Sequence, residues 1–413
     1  MESLSFGKFS SGIHDRVFSH RVPMDGTIEV TWRCPQECTH CYNNLPMDDA
    51  RARQDEMSLE EHCRILDEIT EAGCLWLLYT GGEVFARRDF LEIYTYAKKK
   101  GLLITLFTNG TLITPEVADH LVQWAPFSIE ISLYGGTRET HEKITRVPGS
   151  FEGCMRGIRL LLERKLPLKI KTVVMTANNH EIWEMKRFVE DDLGLEFRFD
   201  GMVNPRIDCT QSPLAVRLDP ADIVRLDLLD PARMAEWRRF ACRFNGPSAS
   251  ATGCEDLYRC GGGQNSFAIN PRGQMSLCLL SQKDSYDLRA GSFKEGWENF
   301  LSQVRRKKLT RMTKCVSCEI QPMCGMCPAN GELEQEDPEA PVDFLCRVAH
   351  LRSLAIGVPA PPHGNCEYCE GGSAREELKN LAARLGQQMP CGGATWVGAG
   401  PLAPAENLQN LVA

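Results

Sequence analysis

The stretch GTIEVTWRCPQECTHC, residues 26–41, runs a β-branched segment straight into three closely spaced cysteines, Cys34, Cys38 and Cys41. Three thiolates on one short loop can each hold one iron of a cubane [4Fe-4S] cluster and leave the fourth iron open to a ligand. The competing reading is a structural zinc knuckle, which needs four nitrogen or sulfur ligands in two close pairs. The only further ligand nearby is His40, between two of the cysteines, where it reaches the same tetrahedron poorly. The spacing therefore favours iron-sulfur chemistry over scaffolding.

Outward from this loop, apolar and β-branched runs at 26–32, 75–80, 102–108, 127–133, 168–174 and 196–201 alternate with amphipathic stretches. Ser58 and Glu61 predict a capping box opening a helix with Leu59, Cys63, Leu66 and Ile69 on one face, closed by Gly73. A second helix is predicted from Asp89 to Gly101, and a third with Thr114 as its cap and Pro115 at its first position. Six strands, each followed by a helix, predict a parallel sheet whose ligands gather at the carboxyl ends of the strands. The cysteine loop follows the first strand, at that end.

With 413 residues the chain is long enough for two or three domains. It carries 47 basic against 55 acidic residues and no basic block, so nucleic acid is not an expected partner. No apolar run reaches membrane-span length and the first residues lack a secretory signal, so a cytoplasmic location and no membrane association are expected. There disulfides are disfavoured, and 19 cysteines, an odd number clustered at short spacings, point to metal ligation. Open iron-sulfur clusters are oxygen-sensitive, which points to an anaerobic setting.

The expected organisation is an extension at 1–24, a parallel-sheet α/β domain at 25–201, a mixed Pro/Asp-rich bridge at 202–250, a second cysteine-rich region at 251–350 and an extension at 351–413. That last segment holds a Pro run, a helix candidate around Glu376 to Leu385, and Cys366, Cys369 and Cys391. One close pair plus a distant cysteine is half of a metal site at most, and a mobile or surface-packed extension is the expectation. No internal repeat is visible.

The Cys-x3-Cys-x2-Cys loop together with TGGEVF after the second strand resembles the radical S-adenosylmethionine superfamily. The resemblance implies an α/β fold, a partial (β/α)6 TIM-like barrel, with S-adenosylmethionine chelating the open iron. It implies that Gly81 and Gly82 permit close backbone approach, that Glu83 receives the ammonium group, and that His40 takes the place of an aromatic residue where the backbone meets the adenine. Ser132 and Asn109 match strand-end positions that contact the cofactor. A strand-end turn accounts for either equally well, and a helix cap is the bland role for Glu83.

The second cysteine region resembles the SPASM domain, a small α+β module with two auxiliary [4Fe-4S] clusters. Carried over by position, Cys254, Cys260, Cys278 and Cys327 would hold the nearer cluster, and Cys315, Cys318, Cys324 and Cys346 the farther one. Two residues separate Cys324 from Cys327 where the usual pattern has three. A zinc ribbon of Cys315, Cys318, Cys324 and Cys327 is the alternative. With four protein ligands each, the auxiliary clusters would accept electrons from a substrate radical formed after cleavage of S-adenosylmethionine to a 5'-deoxyadenosyl radical.

The resemblance implies a maturase of ribosomally made peptides that oxidises or crosslinks its substrate, with flavodoxin or ferredoxin as external electron donor. The 33 residues before Cys34 are too few for a leader-binding domain, so a separate leader-binding protein or another surface of this chain is expected if a leader is read. Sulfatase maturases carry an aspartate base where this chain has Leu279, which disfavours that activity. Asp200 is a candidate general base or a turn cap. Alternatives are a small molecule or tetrapyrrole as substrate, a redox-neutral epimerase using Cys209 or Cys242 as hydrogen donor, and, from a different class, a non-enzymatic iron-sulfur carrier.

Overall fold

A computed structural model describes residues 12–13, 16–245 and 255–387. All six expected strands are present: β1 (Asp25–Thr31), β2 (Trp76–Gly81), β3 (Leu103–Thr108), β4 (Ser128–Ser132), β5 (Leu168–Val173) and β6 (Glu196–Asp200). They pair in parallel in chain order, forming a partial barrel. The first five strands bury β-branched or aliphatic residues, Ile28, Leu77, Ile104, Ile129 and Ile170 being fully or nearly fully buried, and β6 buries Phe197 and Phe199.

The sheet does not stop at the barrel. β7 (Ser266–Ile269), β8 (Gln274–Ser276) and β9 (Tyr286–Asp287) continue it on the far side of β1, giving nine strands in the order β9-β8-β7-β1-β2-β3-β4-β5-β6. β7 lies parallel to β1 in the register Asp25↔Ser266 to Ile28↔Ile269. The cysteine-rich segment is thus joined to the barrel through backbone hydrogen bonds.

The predicted caps hold. The helix Leu59–Glu71 starts on a reciprocal Ser58/Glu61 capping box, and Gly73 follows it at φ 99°. Its buried face is His62, Ile65, Leu66 and Ile69, one residue away from the expected stripe, because Cys63 turns toward the surface. Thr114 caps the helix Pro115–Gln123 through the Val117 N–H.

The region read as a bridge is instead largely helical. Asp219 and Asp230 each cap a helix that begins with proline, Pro220–Leu229 and Pro231–Phe244. The first packs on the helix Asp343–Ile356, and the buried Asp227 there accepts hydrogen bonds from Arg352, 2.8 Å, and Arg233, 2.9 Å. The expected last helix is present as Arg375–Gln387. No helix among the described residues is long and apolar enough to cross a membrane.

Candidate active site

β1 and β2 meet irregularly at their carboxyl ends, where the register slips between Glu29 and Thr31. Gly81, at φ 132°, and Gly82 lie directly on this slip, and Gly82 N–H donates to the Thr31 carbonyl at 2.7 Å. A side chain on Gly81 would run into the Thr31 carbonyl, and one on Gly82 into those of Trp32 and Arg33. The glycines are therefore required by the approach of the TGGE loop to the backbone that leads into Cys34.

That backbone is clamped from below. Arg33 donates from Nε and a terminal nitrogen to the two Glu56 carboxylate oxygens, at 2.8 and 3.0 Å, both side chains being buried. Thr31 adds a hydroxyl hydrogen bond to the same carboxylate. Arg33→Ala would leave a buried carboxylate without its cation, and a cost of about 3–5 kcal/mol is expected. A large drop in the thermal unfolding midpoint would check it; an unchanged midpoint would show that the clamp adds nothing.

On the other side of the loop Glu29, fully buried in β1, accepts from Trp32 Nε1 at 2.9 Å, Tyr42 Oη at 3.0 Å and Asn43 Nδ2 at 2.5 Å. Burial raises its carboxyl to about 7 against the pull of these three donors. It thereby ties residues 42 and 43, just past Cys41, to the barrel floor. A lone glutamate inside TIEVTW was its only sequence signal.

Cys34, Cys38 and Cys41 all face one cavity of about 850 Å³. Among the described residues their thiols do not form the tight ligand group a single ion needs. A cubane suits them better, since each cysteine then binds a different iron. Buried Gln36 Nε2, Thr39 Oγ1 and His40 Nδ1 on the same loop have no hydrogen-bond partner, as expected where a bound group completes the bonding. Burial pushes the Cys34 and Cys41 thiols up, so taking up iron displaces their protons. These residues fit an iron-sulfur cluster.

His40, Gly81, Gly82, Asn109 and Ser132 line the same cavity. The His40 ring stands edge-on to Tyr134, with centroids 4.6 Å apart, and burial lowers its pKa to about 4, so it is neutral at pH 7. Asn109 Nδ2 lies 3.6 Å from the Cys34 sulfur. Glu83 is buried and takes the capping role. Its carboxylate accepts from Thr108 Oγ1 and the Asn109 N–H, both at 2.7 Å, and from the Phe85 N–H at 3.2 Å. It caps the turn Val84–Ala86 and fixes the end of β3. Burial raises it to about 6 despite those bonds.

The deeper wall carries residues that the sequence reading passed over. Glu130 of β4, Lys171 of β5 and Arg198 of β6 project into the cavity, with Lys171 Nζ 3.8 Å and Arg198 3.7 Å from the Glu130 carboxylate. Burial brings Lys171 down to about 7, only partly opposed by Glu130. The alternation Lys-Ile-Lys within a barrel strand was the available signal, because every second residue faces inward. Asp200 also lines the cavity, and its carboxylate accepts from the Met202 N–H at 2.7 Å, the turn-cap geometry.

Cys260 and Cys327 lie near enough to Cys278 to help push its thiol up, behind the larger effect of burial, and Cys260 acts likewise on Cys327. Cys254 falls outside the described residues. Leu279, next to Cys278, reaches the cavity, so the cysteine-rich segment forms part of its wall. Cys315, Cys318, Cys324 and Cys346 share a second site beside His350 and His363. Cys209 and Cys242 do not line the cavity: Cys209 contacts the Glu332 carbonyl at 3.7 Å and Cys242 is exposed. In the described part of the extension after residue 350, which packs on the rest of the chain, Cys366 and Cys369 are buried. Cys391 lies outside the described residues.

Residues 28–189 match the sequence profile of the Radical SAM superfamily. They are a radical SAM domain. That family uses S-adenosylmethionine and a [4Fe-4S] cluster. Over 342 residues the chain with this radical SAM domain is 25% identical to the AdoMet-dependent heme synthase of Methanosarcina barkeri, covering 75% of this chain and 94% of that protein. It is 24% identical over 326 residues to the antilisterial bacteriocin subtilosin biosynthesis protein AlbA of Bacillus subtilis, covering 75% and 68%. Its fold is similar to that of Streptococcus suis SuiB bound to precursor peptide SuiA, with a TM-score of 0.62, 16% identity and coverage of 84% and 82%. The radical SAM domain is thus followed by a cysteine-rich region that continues its sheet.

Proposed function

We propose that this protein is an iron-sulfur oxidoreductase that cleaves S-adenosylmethionine and oxidatively modifies a ribosomally made peptide. The observation that carries the reading is the shared cavity, with the Cys34/Cys38/Cys41 loop on one wall and Leu279, beside Cys278, on another. A substrate there lies between a site for radical formation and a site for electron removal. The likeness of the fold to a protein bound to its precursor peptide, and the similarity to a bacteriocin biosynthesis protein, support a peptide.

Cys34, Cys38 and Cys41 would hold the first cluster. Cys254, Cys260, Cys278 and Cys327 would hold a nearer auxiliary cluster, and Cys315, Cys318, Cys324 and Cys346 a farther one. When bound, S-adenosylmethionine and a reduced first cluster would supply a 5'-deoxyadenosyl radical, and an oxidised auxiliary cluster would supply the electron acceptor. Removal of two hydrogens from a substrate takes one hydrogen atom, one electron and one proton. Lys171 is placed to take the proton: with its pKa brought down to about 7, its neutral form gains as pH rises through 7. Glu130 lies 3.8 Å from its amine and also faces Arg198 at 3.7 Å, whose positive charge favours the neutral amine.

Lys171→Met should lower product formation about 10²–10⁴-fold while 5'-deoxyadenosine is still released, and the wild-type product rate should climb as pH passes 7. Equal product rates in the two proteins would remove Lys171 from the mechanism. The reading as a whole is tested by high-resolution mass spectrometry of a peptide encoded beside the gene, incubated anaerobically with enzyme, reductant and S-adenosylmethionine. Loss of two hydrogens supports it.

A second reading has its own support. The heme synthase relatives are matched over nearly their full length, and Lys171, Arg198 and Arg233 on the cavity wall suit the carboxylates of a tetrapyrrole. An unchanged peptide, with a propionate-bearing tetrapyrrole oxidised under the same conditions, would replace the first reading by this one.

A further inference from the structure

Outside the cavity, the described residues contain one group of side chains drawn together tightly enough for a single metal ion: His350, His363, Cys366 and Cys369. Their ligand atoms all lie within 4.8 Å of one another, and all four residues are buried. His350 comes from the helix Asp343–Ile356 and the other three from the segment that follows it. The spacing is His-x12-His-x2-Cys-x2-Cys.

The distances match tetrahedral coordination. Bonds of about 2.3 Å to sulfur and about 2.0–2.1 Å to nitrogen, at tetrahedral angles, set sulfur and nitrogen about 3.5 Å apart. His350 Nε2 lies 3.5 Å from the Cys366 sulfur and 3.6 Å from the Cys369 sulfur. His363 approaches the Cys369 sulfur at 3.3 Å through Nδ1 and 3.9 Å through Nε2.

Both imidazoles are also oriented from behind. Nδ1 of His350 lies 2.8 Å from the Cys346 carbonyl oxygen and Nδ1 of His363 lies 2.9 Å from that of Pro361. An Nδ1–H donated to a carbonyl leaves Nε2 as the unprotonated ligand, the usual support of a metal-bound histidine.

The cysteine pair sits on a tight turn of its own. The N–H of Cys369 donates to the Cys366 carbonyl at 3.3 Å and that of Gly372 to the Cys369 carbonyl at 2.9 Å. A side chain on Gly372 would sit 2.6 Å from the Cys366 carbonyl oxygen, so the turn closes only with glycine there. Tyr368 Oη, between the cysteines, donates to Asp343 at 2.9 Å, and Lys314 pairs with Glu367 at 2.7 Å. These contacts dock the turn on the helix without drawing on the four ligands.

We propose that His350, His363, Cys366 and Cys369 form a structural zinc site separate from the iron-sulfur ligand sets. A closed, buried Cys2His2 set fills all four positions of the ion and leaves none for substrate, so the ion is a staple. It fastens the segment after residue 357 to the helix that carries Cys346, and His350 stands one turn beyond Cys346 on that helix. Cys318, which also approaches His363, stays with Cys315, Cys324 and Cys346.

The test is elemental analysis and zinc K-edge absorption spectroscopy on the full-length protein, purified anaerobically and dialysed against a chelator. About one zinc per chain is expected, with two sulfurs near 2.3 Å and two nitrogens near 2.0–2.1 Å. The Cys366→Ser/Cys369→Ser double variant should lose at least about tenfold of its zinc while keeping the wild type's iron. Absence of zinc from the wild type, iron in its place, three or more sulfurs around the ion, or zinc retained by the double variant would each overturn the assignment. Should the double variant be insoluble, the sulfur count of the wild-type site decides alone.

Discussion

Replacing Cys34, Cys38 and Cys41 together by alanine abolishes S-adenosylmethionine cleavage, and 5'-deoxyadenosine formation falls to background, a loss of at least about 10⁶-fold. The loop keeps its backbone frame in the variant. Arg33 still meets Glu56, Glu29 still holds Tyr42 and Asn43, and Leu45 N–H still donates to the Trp32 carbonyl at 2.8 Å. What disappears is the set of thiolates that each bind a separate iron. Iron content should fall by one cluster's complement, while the iron proposed for the cysteines from Cys254 to Cys346 should be retained. Persistent 5'-deoxyadenosine release from a folded triple variant would sink the assignment of the first cluster.

The second large effect is expected at Gly82. Its added Cβ in Gly82→Ala would sit 2.5 Å from the Arg33 carbonyl oxygen, closer still to that of Trp32, and 2.7 Å from the Trp32 carbonyl carbon. Each is backbone, so no side chain can rotate aside, and the strand leading to Cys34 must shift. A cost of about 3 kcal/mol is expected, at the upper end for overpacking, together with poor retention of the first cluster. Gly101→Ala is the control: it keeps a strained φ of 87° but meets nothing within 4 Å, so it should lose about 1–2 kcal/mol and leave the iron untouched. Equal iron content in the Gly82 variant and wild type would show that the close approach is unimportant for the loop.

The barrel strands were legible because a buried parallel strand is a short β-branched run, and runs such as LLITLFT carry that composition whatever surrounds them. Helix starts were legible where a cap stood in front, as at Ser58 and Thr114. The helices Pro220–Leu229 and Pro231–Phe244 carry the same signal, Asp then Pro, but composition drew the reading toward a linker. Glu83 shows the limit of a motif: its position was marked, whereas its bonds to Thr108 and Asn109 depend on how β2 and β3 lie side by side. The pairing of β7 with β1, and the approach of His350 to Cys366 across a Pro-rich run, exist only once the chain has folded back on itself. No local pattern announces either.

The pairing of β7 with β1 also sets a schedule. β1 is the first barrel strand to be synthesised, yet its outer partner begins at Ser266, so roughly 240 residues must follow Asp25 before that edge is covered. At about 5–20 residues per second the wait is on the order of 10–50 s. Throughout it the nascent barrel presents an open row of amide and carbonyl groups, the kind of edge that recruits other chains. The cysteine-rich half closes this edge only once it has been made, so the exposure of the first half ends with the arrival of Ser266–Ile269.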